Sequence, residues 1–263
     1  MSIAGLELDI ASRLRAAYHN GQIQPFSAEV ENSIESAYRI QDQNTDHALN
    51  KDGRTIVGRK IGLTSLAVQK QLGVDQPDYG VLFADMAIDD GRNTTVTGLL
   101  QPKIEAEIAF GFKRDMNDSK VDLADLIASI EWVAPALEIV DSRIADWRIG
   151  IVETIADNAS SGRFVVGGRT PFSSTIDVIG CEMTLHEGAE LVSSGNGAAC
   201  MGSPLSATLW LVRKMAEVGR PVRAGELVLS GALGPMVKLR SGQQYQAVVD
   251  GLGGVSVSFG CDC

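Results

Sequence analysis

QPKIEAEIAFGF (101–112) sets two glutamates, Glu105 and Glu107, into an otherwise apolar run, and APALEIV (134–140) does the same with a third, Glu138. Alternating side chains on a strand point to opposite faces. Glu105 and Glu107 therefore share one face of a predicted strand, and Ile104, Ala106 and Ile108 share the other. The Cα atoms of the two glutamates should lie about 6.6–7 Å apart, close enough for both carboxylates to converge on one cation. A solvent-facing pair on a half-exposed strand is the plainer alternative. Glu138 interrupts a run that reads as a buried strand, where a charge is costly unless paired or metal-bound. An ion pair with an arginine such as Arg143 would also satisfy it. Taken together, three intrusive glutamates suggest an oxygen-ligand metal site suited to Mg²⁺ or Mn²⁺, with no His or Cys nearby in the pattern to favour zinc.

Working outward, residues 3–19 place Leu6, Ile10, Leu14 and Ala17 at helical spacing, with Gly21 as a stop. A second helix is predicted over 28–50, with Ile34, Tyr38 and Leu49 inward and Gly53 after its end. Residues 1–53 thus read as a helical N-terminal subdomain, and 54–263 as a separate, strand-rich domain. RTIVGRKIGL (54–63) reads as a strand, TSLAVQKQLG (64–73) as a short helix capped by Thr64, and VDQPDYG (74–80) as a loop. Helices are predicted near 122–130 and 203–218, and the tail alternates like antiparallel strands joined by glycine turns. Helices in front and non-alternating strands behind imply an α+β fold with a mixed or barrel-like sheet.

Composition narrows the function classes. The 263 residues carry 33 acidic and 23 basic side chains, a formal charge of −10. That balance disfavours nucleic acid or an anionic membrane as partner. No apolar run reaches the ~20 residues of a membrane span. The first twenty residues read as an amphipathic helix instead of a signal peptide. Four cysteines without a C-x-x-C pair (Cys181, Cys200, Cys261, Cys263) imply free thiols in a reducing cytoplasm.

Two further residues could carry chemistry. Lys60, in VGRKIGLTS, is a lysine amid an apolar strand, where desolvation lowers the pKa and suits an acid–base role; snorkelling to water is the alternative. Asp78 sits beside Pro77, where aspartate often only caps a turn. GNGAAC (195–200) lacks the βαβ frame of a dinucleotide site, and VGRKIGLT lacks the GK[ST] of a phosphate loop. His19, His47 and His186 fall on polar surfaces, and no Ser/His/Asp set can be assembled.

The stretches GRKIGLTS (58–65), LGVDQPDYGVLFADM (72–86), QPKIEAEIAF (101–110), ALEIVDSR (136–143), ADNASS (156–161) and GALGPMV (231–237) resemble the 2-hydroxypenta-2,4-dienoate (2-oxopent-4-enoate) hydratases of the fumarylacetoacetate hydrolase superfamily, from about residue 5 to residue 260. The resemblance implies a mixed β-roll or barrel core with peripheral helices. It implies Glu105, Glu107 and Glu138 as metal ligands, Lys60 and Asp78 as proton-transfer groups and Ser160 as a substrate contact. It also implies a short 2-oxo or 2-hydroxy-dienoic acid as substrate, a place in aromatic meta-cleavage catabolism, and a homo-oligomer that leaves room for association with a pathway enzyme. The nearest rival is 2-oxo-3-hexenedioate (4-oxalocrotonate) decarboxylase, which uses similar metal logic; Asp78 and GALGPMV favour the hydratase. A hydratase for a seven-carbon dioic acid would need a second cationic pocket. A C–C hydrolase would need a His–Glu pair, and a non-catalytic partner subunit would not need the acidic set.

Overall fold

A computed structural model describes residues 2–65, 69 and 76–261. Helix α1 (Ile3–Asn20) is capped by Ser2, whose hydroxyl accepts from the Gly5 amide, and it ends at Gly21 at φ +88°. The single helix expected over 28–50 is broken. A 3₁₀ turn (Ser27–Val30) is followed by Glu31 and Asn32 at φ 54° and 55°, and α2 (Ile34–Asn50) starts afresh from its Ser33 cap. Leu49, expected inward, lies exposed, because Gln41, Thr45 and Ala48 occupy the inward stripe.

The strands follow in chain order: β1 (Ile56–Gly62), β2 (Asp78–Phe83), β3 (Ala87–Ile88), β4 (Asn93–Thr94), β5 (Lys103–Phe112), β6 (Ile130–Val140) and β7 (Ser161–Val166). After them come β8 (Thr170–Pro171), β9 (Glu182–Glu187), β10 (Glu190–Asn196), β11 (Leu227–Leu229), β12 (Val237–Lys238), β13 (Gln244–Val249) and β14 (Gly253–Phe259). Among the described residues the further α-helices are α3 (Leu123–Ser129), α4 (Ile151–Ala156) and α5 (Pro204–Glu217), the last capped by Ser203 with proline in its first turn. The helix expected over 64–73 falls largely outside the described residues. The loop expected over 74–80 ends early: β2 begins at Asp78, directly after Pro77, because every residue from Asp78 to Gly80 pairs with β1.

Among the described residues the strands form two sheets. The larger runs β2-β1-β11-β5-β6-β7-β3, with β12 on β5 and β8 on β6; the smaller runs β10-β9-β13-β14-β4. Both are mixed, since β1–β11, β3–β7 and β4–β14 are parallel and the other pairs antiparallel. One face of β5 and β6 (Ile104, Ala106, Ile108, Phe110, Val133, Leu137, Ile139) joins a core with Leu185, Tyr245, Val257 and Phe259 of the smaller sheet and Leu211 and Met215 of α5. The opposite face carries a second apolar cluster from Val81, Phe83, Ala109, Ala136, Phe164 and Leu229. A sheet buried on both sides explains why its strands read as apolar runs without clean alternation. The three glutamates stand on that second face.

Helices α1, α2 and α4 share a core of their own, including Ile10, Leu14, Ala37, Ile40, Val152 and Ile155. Gln41 Nε2 ties it to the sheet, donating to the carbonyls of Tyr79 and Ile155, both at 2.8 Å. Among the described residues no helix is long and apolar enough to cross a membrane.

Gly80 on β2 marks where the chain at 158–161 approaches the sheet. A Cβ there would press into the Asn158 carbonyl oxygen and lie 2.9 Å from Ser161 Oγ. Gly80→Ala should therefore cost about 1–3 kcal/mol, as overpacking does. A denaturant midpoint that falls at unchanged slope checks this; an unshifted midpoint would mean the 158–161 segment yields freely.

Candidate metal centre and catalytic site

Strand register assembles the site. Residues directly opposite across a ladder point to the same face. Glu105 pairs with Glu138 across β5–β6, and Glu107 lies two residues along β5. Lys60 pairs with Leu229 of β11, which pairs in turn with Ala109, two residues beyond Glu107. Gly62 pairs with Asp78 across β1–β2. The same face therefore carries Glu105, Glu107, Glu138, Lys60 and Asp78.

Side-chain geometry agrees. One carboxylate oxygen from each of Glu105, Glu107 and Glu138 lies within 4.8 Å of the others. Glu107 and Glu138 are fully buried and Glu105 partly so, which excludes the solvent-facing alternative. Glu138 does not pair with Arg143, whose guanidinium is taken by Asp157. It faces Lys60 Nζ instead, at 3.1 Å. Lys60 Nζ also donates to the Ala159 carbonyl at 2.8 Å. Glu107 Oε2 accepts the Gly231 amide at 2.8 Å, while its other oxygen has no hydrogen-bond donor. Both oxygens of Asp78 likewise lack an aligned donor, and Glu138 has the Lys60 ammonium beside it. Asp78 is held in the space left by Gly62, where a Cβ would strike its Oδ1 and lie 3.5 Å from Lys60 Nζ.

Buried like charges without donors resist ionisation. Burial first, then Glu138, pushes the Glu105 carboxyl up to about 7. Burial and the neighbouring Glu138 and Glu105 push Glu107 well above the usual carboxylate range. Burial raises Glu138 against the pull of Lys60. Burial, opposed by Lys60 and aided by Glu138, brings Asp78 up to about 6. Lys60 corrects the sequence expectation. Burial does press its pKa down, but Glu138, Asp78, Glu105 and Glu107 outweigh it, so the ammonium is held more firmly than normal.

A divalent cation would relieve this arrangement. Three convergent carboxylates with unclaimed oxygens are the donor set of a hard, oxygen-ligated ion, and the residues present fit one. Ser160, expected at the substrate, donates its hydroxyl to Asp157 Oδ2 at 3.1 Å. Sequence reasoning missed the backbone partners, the Gly231 amide and the Ala159 carbonyl. Both lie inside quoted stretches, but a backbone group leaves no trace in residue identity.

No family model matches the chain. Among proteins of known name, 2-keto-4-pentenoate hydratase 1 of Dechloromonas aromatica (strain RCB) is 55% identical over 225 residues, covering 86% of this chain and 85% of that protein. The 2-keto-4-pentenoate hydratase of Burkholderia vietnamiensis (strain G4 / LMG 22486) is 50% identical over 253 residues, 95% of this chain and 96% of its own. Among solved structures, 4-oxalocrotonate decarboxylase from Pseudomonas putida G7, complexed with magnesium and adipate, superposes with a TM-score of 0.91 at 32% identity over 98% of both chains. The fold is that of the fumarylacetoacetate hydrolase superfamily, with an acidic centre on its larger sheet. Within it, the chain belongs to the 2-keto-4-pentenoate hydratase family.

The carboxylate cluster makes stability depend on pH in a defined direction. Glu105 titrates near 4.5 unfolded and at about 7 folded, so between those values the folded chain holds the extra proton. Stability of metal-stripped protein is therefore greatest below about 4.5 from this group and declines as pH rises toward about 7. Thermal melts across that window, with and without Mn²⁺, check it: the ion should raise Tm most at the upper end. A metal-stripped protein whose Tm rises through the window, with no gain from Mn²⁺, would contradict it.

Proposed function

We propose that the chain is a divalent-metal-dependent hydro-lyase that adds water to 2-hydroxypenta-2,4-dienoate (2-keto-4-pentenoate), giving 4-hydroxy-2-oxopentanoate in aromatic meta-cleavage catabolism. The carrying observation is the buried Glu105–Glu107–Glu138 cluster with Lys60 and Asp78 on the same face, in a chain up to 55% identical to proteins named for this hydration. Glu105, Glu107 and Glu138 would hold Mg²⁺ or Mn²⁺; an all-carboxylate set suits these ions better than zinc. Bound there, the cation supplies Lewis acidity and orientation for the substrate's carboxylate and 2-oxygen.

The chain's own residues handle the protons. The reaction removes a proton from the 2-hydroxyl, delivers one to C5, adds hydroxide from water at C4 and delivers a proton to C3. Lys60 Nζ is a charged donor fixed by Ala159 and Glu138. Asp78, brought up to about 6, exchanges its proton near neutrality, and its carboxylate has no hydrogen-bond donor to release first. The two divide the transfers, each worth roughly 10²–10⁴-fold. Glu107 and Glu138 are fully buried, and that setting strengthens each charge interaction around them. In this reading residues 1–53 form a helical subdomain bracing the catalytic domain, 54–263, and the protein works as a cytoplasmic homo-oligomer.

The decarboxylase reading rests on the close superposition with 4-oxalocrotonate decarboxylase; the higher identity to hydratases weighs against it. Purified protein offered 2-hydroxypenta-2,4-dienoate should consume the dienoate absorbance and yield 4-hydroxy-2-oxopentanoate, lose this after EDTA and regain it with Mg²⁺ or Mn²⁺. Full turnover after chelation, or carbon dioxide release from 2-oxo-3-hexenedioate in place of hydration, would overturn the proposal. Lys60→Ala should keep the metal-dependent rise in Tm yet lose about 10²–10⁴-fold in kcat. Glu107→Gln should lose both.

A further inference from the structure

The carbonyl that holds Lys60 belongs to an unusual segment. Asn158, Ala159 and Ser160 take φ of 58°, 51° and 51°, three consecutive non-glycine residues in the left-handed region. Side chains other than glycine's seldom accept that conformation, and it persists only where the surroundings over-determine it. Two anchors do so. On one side the buried Asp157 carboxylate accepts from the Arg143 amide (3.1 Å), Ser142 Oγ (3.3 Å) and Ser160 Oγ (3.1 Å), and pairs with the Arg143 guanidinium. On the other, the Asn158 carboxamide closes a two-point clamp on Val81 of β2. Its Oδ1 accepts the Val81 amide at 2.7 Å, and its Nδ2 donates to the Val81 carbonyl at 2.9 Å. Asparagine suits the place twice over: it offers acceptor and donor side by side, and it tolerates the left-handed backbone better than most residues.

The clamp reaches the chemistry through the next residue on one side and along β2 on the other. The residue after Asn158 is Ala159, whose carbonyl receives Lys60 Nζ at 2.8 Å. Val81 lies three residues along β2 from Asp78. The same two hydrogen bonds thus reference the support of Lys60 and the strand of Asp78 to a common frame.

We propose that Asn158 is a positioning residue for the reaction, acting through Lys60: its clamp on Val81 aims the Ala159 carbonyl and so fixes the ammonium between Glu138 and Asp78. Arg143–Asp157 is the second anchor of the same segment. This rests on the reading that Lys60 carries a proton transfer.

The test is steady-state kinetics on the Mg²⁺-loaded full-length enzyme with 2-hydroxypenta-2,4-dienoate, comparing wild type, Asn158→Gly, Lys60→Ala and the double variant. Glycine keeps the left-handed backbone and removes only the carboxamide. Asn158→Gly should lower kcat about 10–100-fold, with KM and the Mg²⁺ half-saturation within about twofold of wild type, as expected for a misplaced catalytic group. In the Lys60→Ala background the same change should have no further effect, because the group it positions is gone. Asn158→Asp keeps the acceptor for the Val81 amide and loses the donor to its carbonyl; it should show the same loss confined to kcat, and it serves if the glycine variant does not fold. Wild-type kcat in a folded Asn158 variant overturns the proposal, as does a double variant slower than Lys60→Ala by the full factor. Undiminished turnover by Lys60→Ala itself overturns the Lys60 assignment, and the positioning role with it.

Discussion

Two glutamates face each other across the central ladder of a sheet buried on both sides, Glu105 on β5 and Glu138 on β6, with Glu107 two residues away. Like charges opposite one another in a strand pair repel, and burial magnifies the repulsion. The surroundings answer it only in part. Lys60 brings one positive charge to Glu138, and the Gly231 amide gives one donor to Glu107. Ionised together, the three carboxylates carry more negative charge than one ammonium can balance, and an oxygen-seeking divalent ion would make up the difference. Stability alone does not call for such a cluster, since an apolar trio at these positions would pack without penalty.

The rest of the fold follows from holding that excess in place. β1 and β11 deliver Lys60 into register with the far side of the cluster, and β2 adds Asp78 beside it. Two glycines make the approach possible: Gly62, whose missing side chain leaves room for the Asp78 carboxylate, and Gly80, against which the chain at 158–161 settles. The N-terminal helices sit behind that segment, sharing a core with α4, whose end leads directly into Asp157 and Asn158.

Much of this could be read from residue identities, for reasons that differ by element. Glu105 and Glu107 stood out because a strand's period of two puts them together, and Glu138 because a charge within APALEIV is anomalous. The α+β class and the helices expected over 3–19 and near 203–218 followed from apolar spacing, and the structure adds their serine caps, Ser2 and Ser203. The start of β2 was hidden because Pro77 and Gly80 carry turn signals, and only pairing with β1 overrides them. The break in the second helix lies at Glu31 and Asn32, whose backbone angles no spacing pattern reports. The protonation of Lys60 was misjudged because burial is legible in an apolar run, whereas the four carboxylates that outweigh it come from three other strands. The comparison with 2-keto-4-pentenoate hydratases supports the family resemblance seen in the motifs.

The cluster's seat on paired backbone has a further consequence. Ten residues of β5 pair with β6, and both faces of that pair are packed. Loops can breathe around an ion, but a ladder of this kind yields only when much of the domain opens. The spacing between the carboxylate stems is thus a built-in gauge, fixed before any ion arrives. An ion held there would meet stems that do not move, with only the glutamate side-chain torsions left to adapt to its radius.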